Sequence, residues 1–136
     1  MKLMAVWHAC ATSQERPISA WASLASLKKP PKVAYLMLNY GTEVSKEYDV
    51  IEQQRRTLVY QAAGVPEGSD VKIEPGSPEF NQFIQSFNDF LSVDANLKPV
   101  GLSMGELIDA LDSEKGNAIS EQDLELLKPF FQEKAA

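Results

Sequence analysis

From Val33 to Ala62 the apolar residues Val33, Met37, Tyr40, Val44, Tyr48, Ile51, Leu58 and Ala62 recur in steps of three and four, with one double step across Arg55. That spacing draws one face of an α-helix about eight turns long. At 1.5 Å per residue such a helix spans roughly 45 Å, more than the width of a domain of this size. Few residues remain to cover the stripe, so the spacing predicts a protein partner, with a second copy of the chain as the first candidate. The predicted interface is Val33, Met37, Tyr40, Val44, Tyr48, Ile51, Arg55 and Leu58. Gly41 lies inside the helix and costs about 1 kcal/mol relative to Ala. The stripe keeps its phase on both sides of it, which predicts one continuous helix, kinked there or approached by another backbone. A break at Asn39-Tyr40-Gly41-Thr42 is the alternative.

Around that helix the pattern predicts shorter elements. Leu3, Val6, Trp7 and Cys10 share a helical spacing, as do Ile18, Trp21, Leu24 and Ala25, with Pro17 in the first turn. Residues 1–29 thus read as two short helices, or as one interrupted before Pro17, and Lys28-Lys29-Pro30-Pro31 closes them off. Gly64-Val65-Pro66 ends the long helix. Ser77-Pro78-Glu79 opens another, whose face of Phe80, Phe83, Ile84, Phe87, Phe90 and Leu91 is expected at the centre of the core. Val71-Lys72-Ile73 and Leu97 to Leu102 alternate and are expected to pair as a minor two-stranded ribbon. Ser103-Met104-Gly105-Glu106 matches a capping box, and Ser120 opens a last helix that Pro129 bends or ends. The fold class expected is α+β, mainly α-helical. It combines one long helix, a Phe-rich central helix, short C-terminal helices and the ribbon. Residues 1–136 form a single domain, with 1–29 a helical N-terminal segment and 30–131 the core.

Composition narrows the function. A net charge of −6 argues against a nucleic-acid binder, which normally shows a basic face. It leaves room for an acidic surface aimed at a basic protein. Cys10 is the only cysteine, so neither an internal disulfide nor a cysteine-based metal site can be assembled, and a reducing compartment is the natural reading. No stretch approaches the roughly twenty apolar residues of a membrane span. The apolar run after Lys2 is short and contains His8, which reads against a secretion signal or a lipoprotein cysteine.

Few residues suggest chemistry. Residues 112–123 partly follow a calcium-binding EF-hand loop, with oxygen ligands at the first, third, ninth and twelfth places and Ile119 at the branched position. Gly116 and Asn117 depart from the fifth and sixth places, and Asp123 is shorter than the usual glutamate, so a plain helix–loop–helix turn is expected. His8 and Cys10 are two apart on a helix and face different ways, which speaks against a nucleophile–base pair. Arg55-Arg56 could grip an anion, but Glu43, Glu47, Asp49 and Glu52 lie within a few turns. Arg55 occupies the apolar stripe, where it could pair with an acid of a neighbouring helix. The reading is of a non-enzyme with no cofactor and no metal.

Lys32-Val33-Ala34-Tyr35-Leu36, followed by Tyr48, Glu52, Arg55, Leu58 and Gly64, then Ile73, Glu79-Phe80 and Ser120-Glu121-Gln122-Asp123-Leu124, resembles a group of small tailed-phage proteins of the DUF1617-like type. The likeness covers residues 24–131, and the Ala/Trp-rich amino terminus and Gly41 depart from it. It implies a bacteriophage or prophage origin and carries over no catalytic residues. The function expected is that of a non-enzymatic phage accessory protein acting through protein–protein contacts, as an oligomeric part of virion or tail assembly. It would reside in the host cytoplasm or the virion, away from nucleic acid and membrane. Two alternatives stand beside it, a host-directed inhibitor with an acidic surface and a degenerate calcium-binding module.

Overall fold

The computed structural model describes residues 1–132. The protein is α+β and mainly helical, with α1 Leu3–Cys10, α2 Ala20–Ser26, α3 Pro31–Ala63, α4 Pro78–Leu91, α5 Met104–Asp112 and α6 Glu121–Leu127. Two short strands, β1 Val100–Ser103 and β2 Phe131–Gln132, complete it. No helix among the described residues is long and apolar enough to cross a membrane.

Helix α3 is the spine. It begins on Pro31, whose missing N–H is no loss in a first turn, and ends at Gly64 in the left-handed conformation at φ 70°. It passes Gly41 unbroken. What comes close there is a side chain rather than a backbone: a Cβ on Gly41 would lie 3.7 Å from Trp21 Cζ2. Helix α1 packs on α2, α3, α4 and α6, and α4 runs back along α3. Trp7 joins them, stacked on Tyr48 with ring centroids 5.9 Å apart and edge-on to Phe87 at 5.1 Å.

Four serines set helix starts by accepting a backbone N–H. Ser19 caps α2, Ser77 caps α4, Ser103 caps α5 and Ser120 caps α6. At α5 the capping box is complete, since Ser103 N–H also donates to Glu106 Oε1 at 3.2 Å. Pro17 is not in a helical first turn. The Ser19 hydroxyl takes the Ala22 N–H at 3.1 Å, fixing the start at Ala20 and leaving Ile18 outside, 63% exposed.

Two further expectations need correcting. The first concerns the ribbon. Val71-Lys72-Ile73 is not a strand, and β1 pairs instead with β2, in parallel, through Val100–Phe131 and Ser103–Gln132 with an irregularity between them. Parallel neighbours need a crossover, which α5, α6 and the 3₁₀ turn Lys128–Phe130 supply. The second concerns the core centre. The largest fully buried side chains are Phe130, Leu24, Ile51, Leu107, Leu127, Val6 and Val44, drawn from both ends and the middle of the chain. In α4 only Phe87 and Leu91 are buried, because only its last turns reach beneath α1. The chain on both sides of Pro30 contributes to one packed cluster, in which Val6, Ala9, Ala20 and Leu24 lie with Ile51 and Leu107.

Candidate interaction surface

The structure divides the apolar stripe of α3. Met37, Tyr40, Val44 and Ile51 are buried, and Val33, Tyr48 and Leu58 are half-buried against the same core. The inner part of the predicted interface is thus covered by the chain itself and presents nothing to a partner. The physical reason is length. From Val33 to Ile51 the helix rises about 27 Å, close to the diameter of a small domain, and α1, α4 and β1, with Trp21 of α2 against Tyr40, suffice to cover it.

Beyond Ile51 the helix overshoots. No residue from Glu52 to Ser86 is buried. This stretch takes in the last turns of α3, the coil 64–77 and the first turns of α4. It forms a two-helix arm about 18 Å long on its α3 side. The arm is far from polar. Leu58, Val59, Tyr60, Phe80 and Phe83 are half-buried, and Val65 and Ile84 are 36% and 38% exposed. Polar contacts hold its geometry, with Thr57 Oγ1 3.1 Å from Glu67 Oε1 across the turn. Of the predicted interface, Leu58 lies in the arm and Arg55 at its root.

Arg55 does not reach a neighbouring helix. Its Nε and Nη2 donate to Glu52 of the same helix at 3.2 and 3.0 Å. Tyr48 Oη also donates to Glu52 Oε1, at 3.4 Å. Burial pushes the Tyr48 phenol up, and the Glu52 carboxylate adds to that shift. The Glu52 carboxylate thus already occupies the Arg55 fork, as expected for a helix-surface ion pair rather than an anion site.

His8 is exposed, while Cys10 is half-buried, and burial pushes its thiol up to about 12. A thiol held protonated in this way is a poor nucleophile. Asn117 and Asp123 of the loop 112–123 are engaged in the fold. Asn117 Oδ1 accepts the Lys28 N–H at 3.0 Å, and Asn117 Nδ2 donates to the carbonyls of Lys28 and Leu111 at 2.8 and 3.0 Å. Asp123 pairs with Arg16 at 3.3 Å, and Gly116 makes the turn at φ 86°. Among the described residues no group of three or more His, Cys, Asp or Glu side chains converges on a common point.

Two surface features were not predicted. Tyr35 and Leu38 of α3 are 67% and 74% exposed. Leu38 edges a cavity of about 230 Å³ lined by Trp21, Leu24, Leu27 and Met37. The signal was present, since Leu38 follows Met37 directly and widens the stripe. The second feature is a trough between the consecutive helices α5 and α6, which depends on how the two pack across their loop. No protein-family model, curated protein or solved structure matches the chain, so no residue's role is carried to it from a relative.

Proposed function

We propose that the chain is a non-enzymatic accessory protein of bacteriophage or prophage origin, acting through protein–protein contact as a self-associating part of virion or tail assembly. The arm from Glu52 to Ser86 supports this reading most. Thirty-five consecutive residues hold Leu58, Val59, Tyr60, Phe80, Phe83 and Ile84 without burying one of them. Apolar area left half in water on a protruding helix pair gains free energy when a second such pair covers it. Two hairpins packed on each other form a four-helix bundle, a stable solution for such faces.

Sedimentation of the full chain tests it. A dimer or larger species is expected at micromolar concentration. Ile84→Asp and Val65→Asp, both at exposed positions, should shift it to monomer with an unchanged far-ultraviolet spectrum. A monomer at every concentration, together with no captured partner in infected cells, would overturn the proposal.

A further inference from the structure

Helices α5 and α6 frame an apolar trough separate from the arm. Met104 and Ile108 of α5 and Leu124 of α6 line an open depression of about 610 Å³. Ile108 and Leu124 also wall a neighbouring depression of about 270 Å³ that Ile119 helps to line. The two depressions are neighbours that share Ile108 and Leu124 as walls. Ile108, at their junction, is 37% exposed.

The rim is acidic. Asp112, Glu121 and Glu125 line the trough against one cation, Lys128, whose Nζ lies 3.0 Å from Glu125. The sign extends outward, for residues 104–132 hold seven acids and two lysines. Over residues 64–132 the count is thirteen acids to four lysines, with no arginine. Two lysines of the preceding segment lie close by, and Lys29 is turned back onto its own chain. The Lys28 backbone is bound to Asn117, and Lys29 Nζ donates to the carbonyls of Ala25 and Leu27.

We infer that this trough receives a basic amphipathic helix of a partner protein. The helix lies between α5 and α6 with its apolar face on Met104, Ile108 and Leu124. Its lysines or arginines meet Asp112, Glu121 and Glu125. Helix-in-groove docking uses apolar anchors at the floor, and complementary rim charge sets the partner's sign and the rate of encounter. An acidic helix of the same shape is excluded by repulsion. The inference does not depend on the arm or on self-association.

The test uses the full chain and two labelled peptides of about fourteen residues, four helical turns, with one leucine pattern. One carries lysine at its polar positions and the other glutamate. By fluorescence anisotropy the leucine/lysine peptide is expected to bind with a micromolar dissociation constant, and the leucine/glutamate peptide not to bind. Ile108→Ser, and the pair Asp112→Lys with Glu125→Lys, should each weaken binding at least tenfold. The pair Glu43→Lys with Glu47→Lys on α3, which reverses equal charge elsewhere, should change it less than twofold. Ile84→Asp should leave it unchanged even if it dissolves the oligomer. Circular dichroism melts confirm that each variant folds. Equal loss from both charge-reversal pairs would mean general attraction to an acidic protein and would overturn the inference. So would failure to bind, equal binding of the glutamate peptide, or a change in sedimentation caused by Ile108→Ser, which would place a second copy in the trough.

Discussion

At Cys10, burial decides the chemistry. A thiol raised from 9.0 to about 12 has about a thousandfold less thiolate near neutral pH. Iodoacetamide should therefore alkylate the folded protein two to three orders of magnitude more slowly than the denatured chain, as read by mass spectrometry. Equal rates would show an accessible, activated thiol. The same shift sets a pH dependence. The folded state keeps the proton that the unfolded chain gives up, so this stabilisation is complete below pH 9.0 and is lost as pH rises toward about 12. Tyr40 acts in the same direction, raised first by burial and then by Glu43, and its hydroxyl is spent on the Lys98 carbonyl at 2.7 Å. Melting temperature should fall steadily above pH 9.0, and Cys10→Ala should flatten the first part of that fall. Asn117 is a different case. Two of its hydrogen bonds tie the α5–α6 loop to Lys28, 89 residues away in sequence, and a third ties it to the Leu111 carbonyl. Asn117→Ala should cost about 1–3 kcal/mol in urea unfolding, and millimolar calcium should not move the melt of either form. The caps of Ser77, Ser103 and Ser120 were legible because a cap is a local exchange between a side chain and an N–H three residues on, while Ser19 was hidden by the first-turn signal of Pro17. Asn117 was not, since its partners are chosen by tertiary packing.

Among the elements, α3 shows how far periodicity carries. Its existence, phase and both ends follow from Val33–Ala62, Pro31 and Gly64. What covers it does not, because a stripe states only that something apolar lies opposite. Gly41 sharpens the point. Its φ is not positive, and an added methyl would meet Trp21 at 3.7 Å, an ordinary van der Waals distance. Gly41→Ala should therefore stabilise the protein by about 0.5–1 kcal/mol through helix propensity alone. A loss in urea unfolding would show that the Trp21 ring has no room to yield. Strand pairing was less legible. Val71-Lys72-Ile73 alternates like an edge strand, but alternation over three residues is weak when no partner is fixed by a turn. The true partner of β1 is Phe131-Gln132, beyond two helices and a 3₁₀ turn. The α5–α6 trough was illegible for a similar reason: each helix is an ordinary amphipathic segment, and only their packing leaves Ile108 and Leu124 sharing a groove.

For the molecule as a whole, the long helix has two regimes separated at Ile51. On one side every stripe residue has an intramolecular cover, and α1 is part of it, with Val6 and Ala9 at 0% exposure. On the other, the arm is held only by α3 and α4. These regimes should respond differently to the same substitution. Leu24, at 1% exposure, lies in the shared core, and Leu24→Ala should cost about 2–5 kcal/mol through lost burial and the cavity left behind. That cost should not vary with protein concentration, because Leu24 is buried by its own chain. Leu58 is only half-buried in the monomer, so Leu58→Ala should cost less than about 2 kcal/mol in dilute solution. If a second copy covers the arm, association stabilises the folded state by mass action, and the wild-type melting temperature rises with concentration. Leu58→Ala weakens that association, so its apparent cost must grow as concentration rises. Thermal melts of wild type and both variants over a hundredfold concentration range decide the matter. Parallel wild-type and Leu58→Ala curves would show that the arm stays solvated and that its apolar residues serve some other contact.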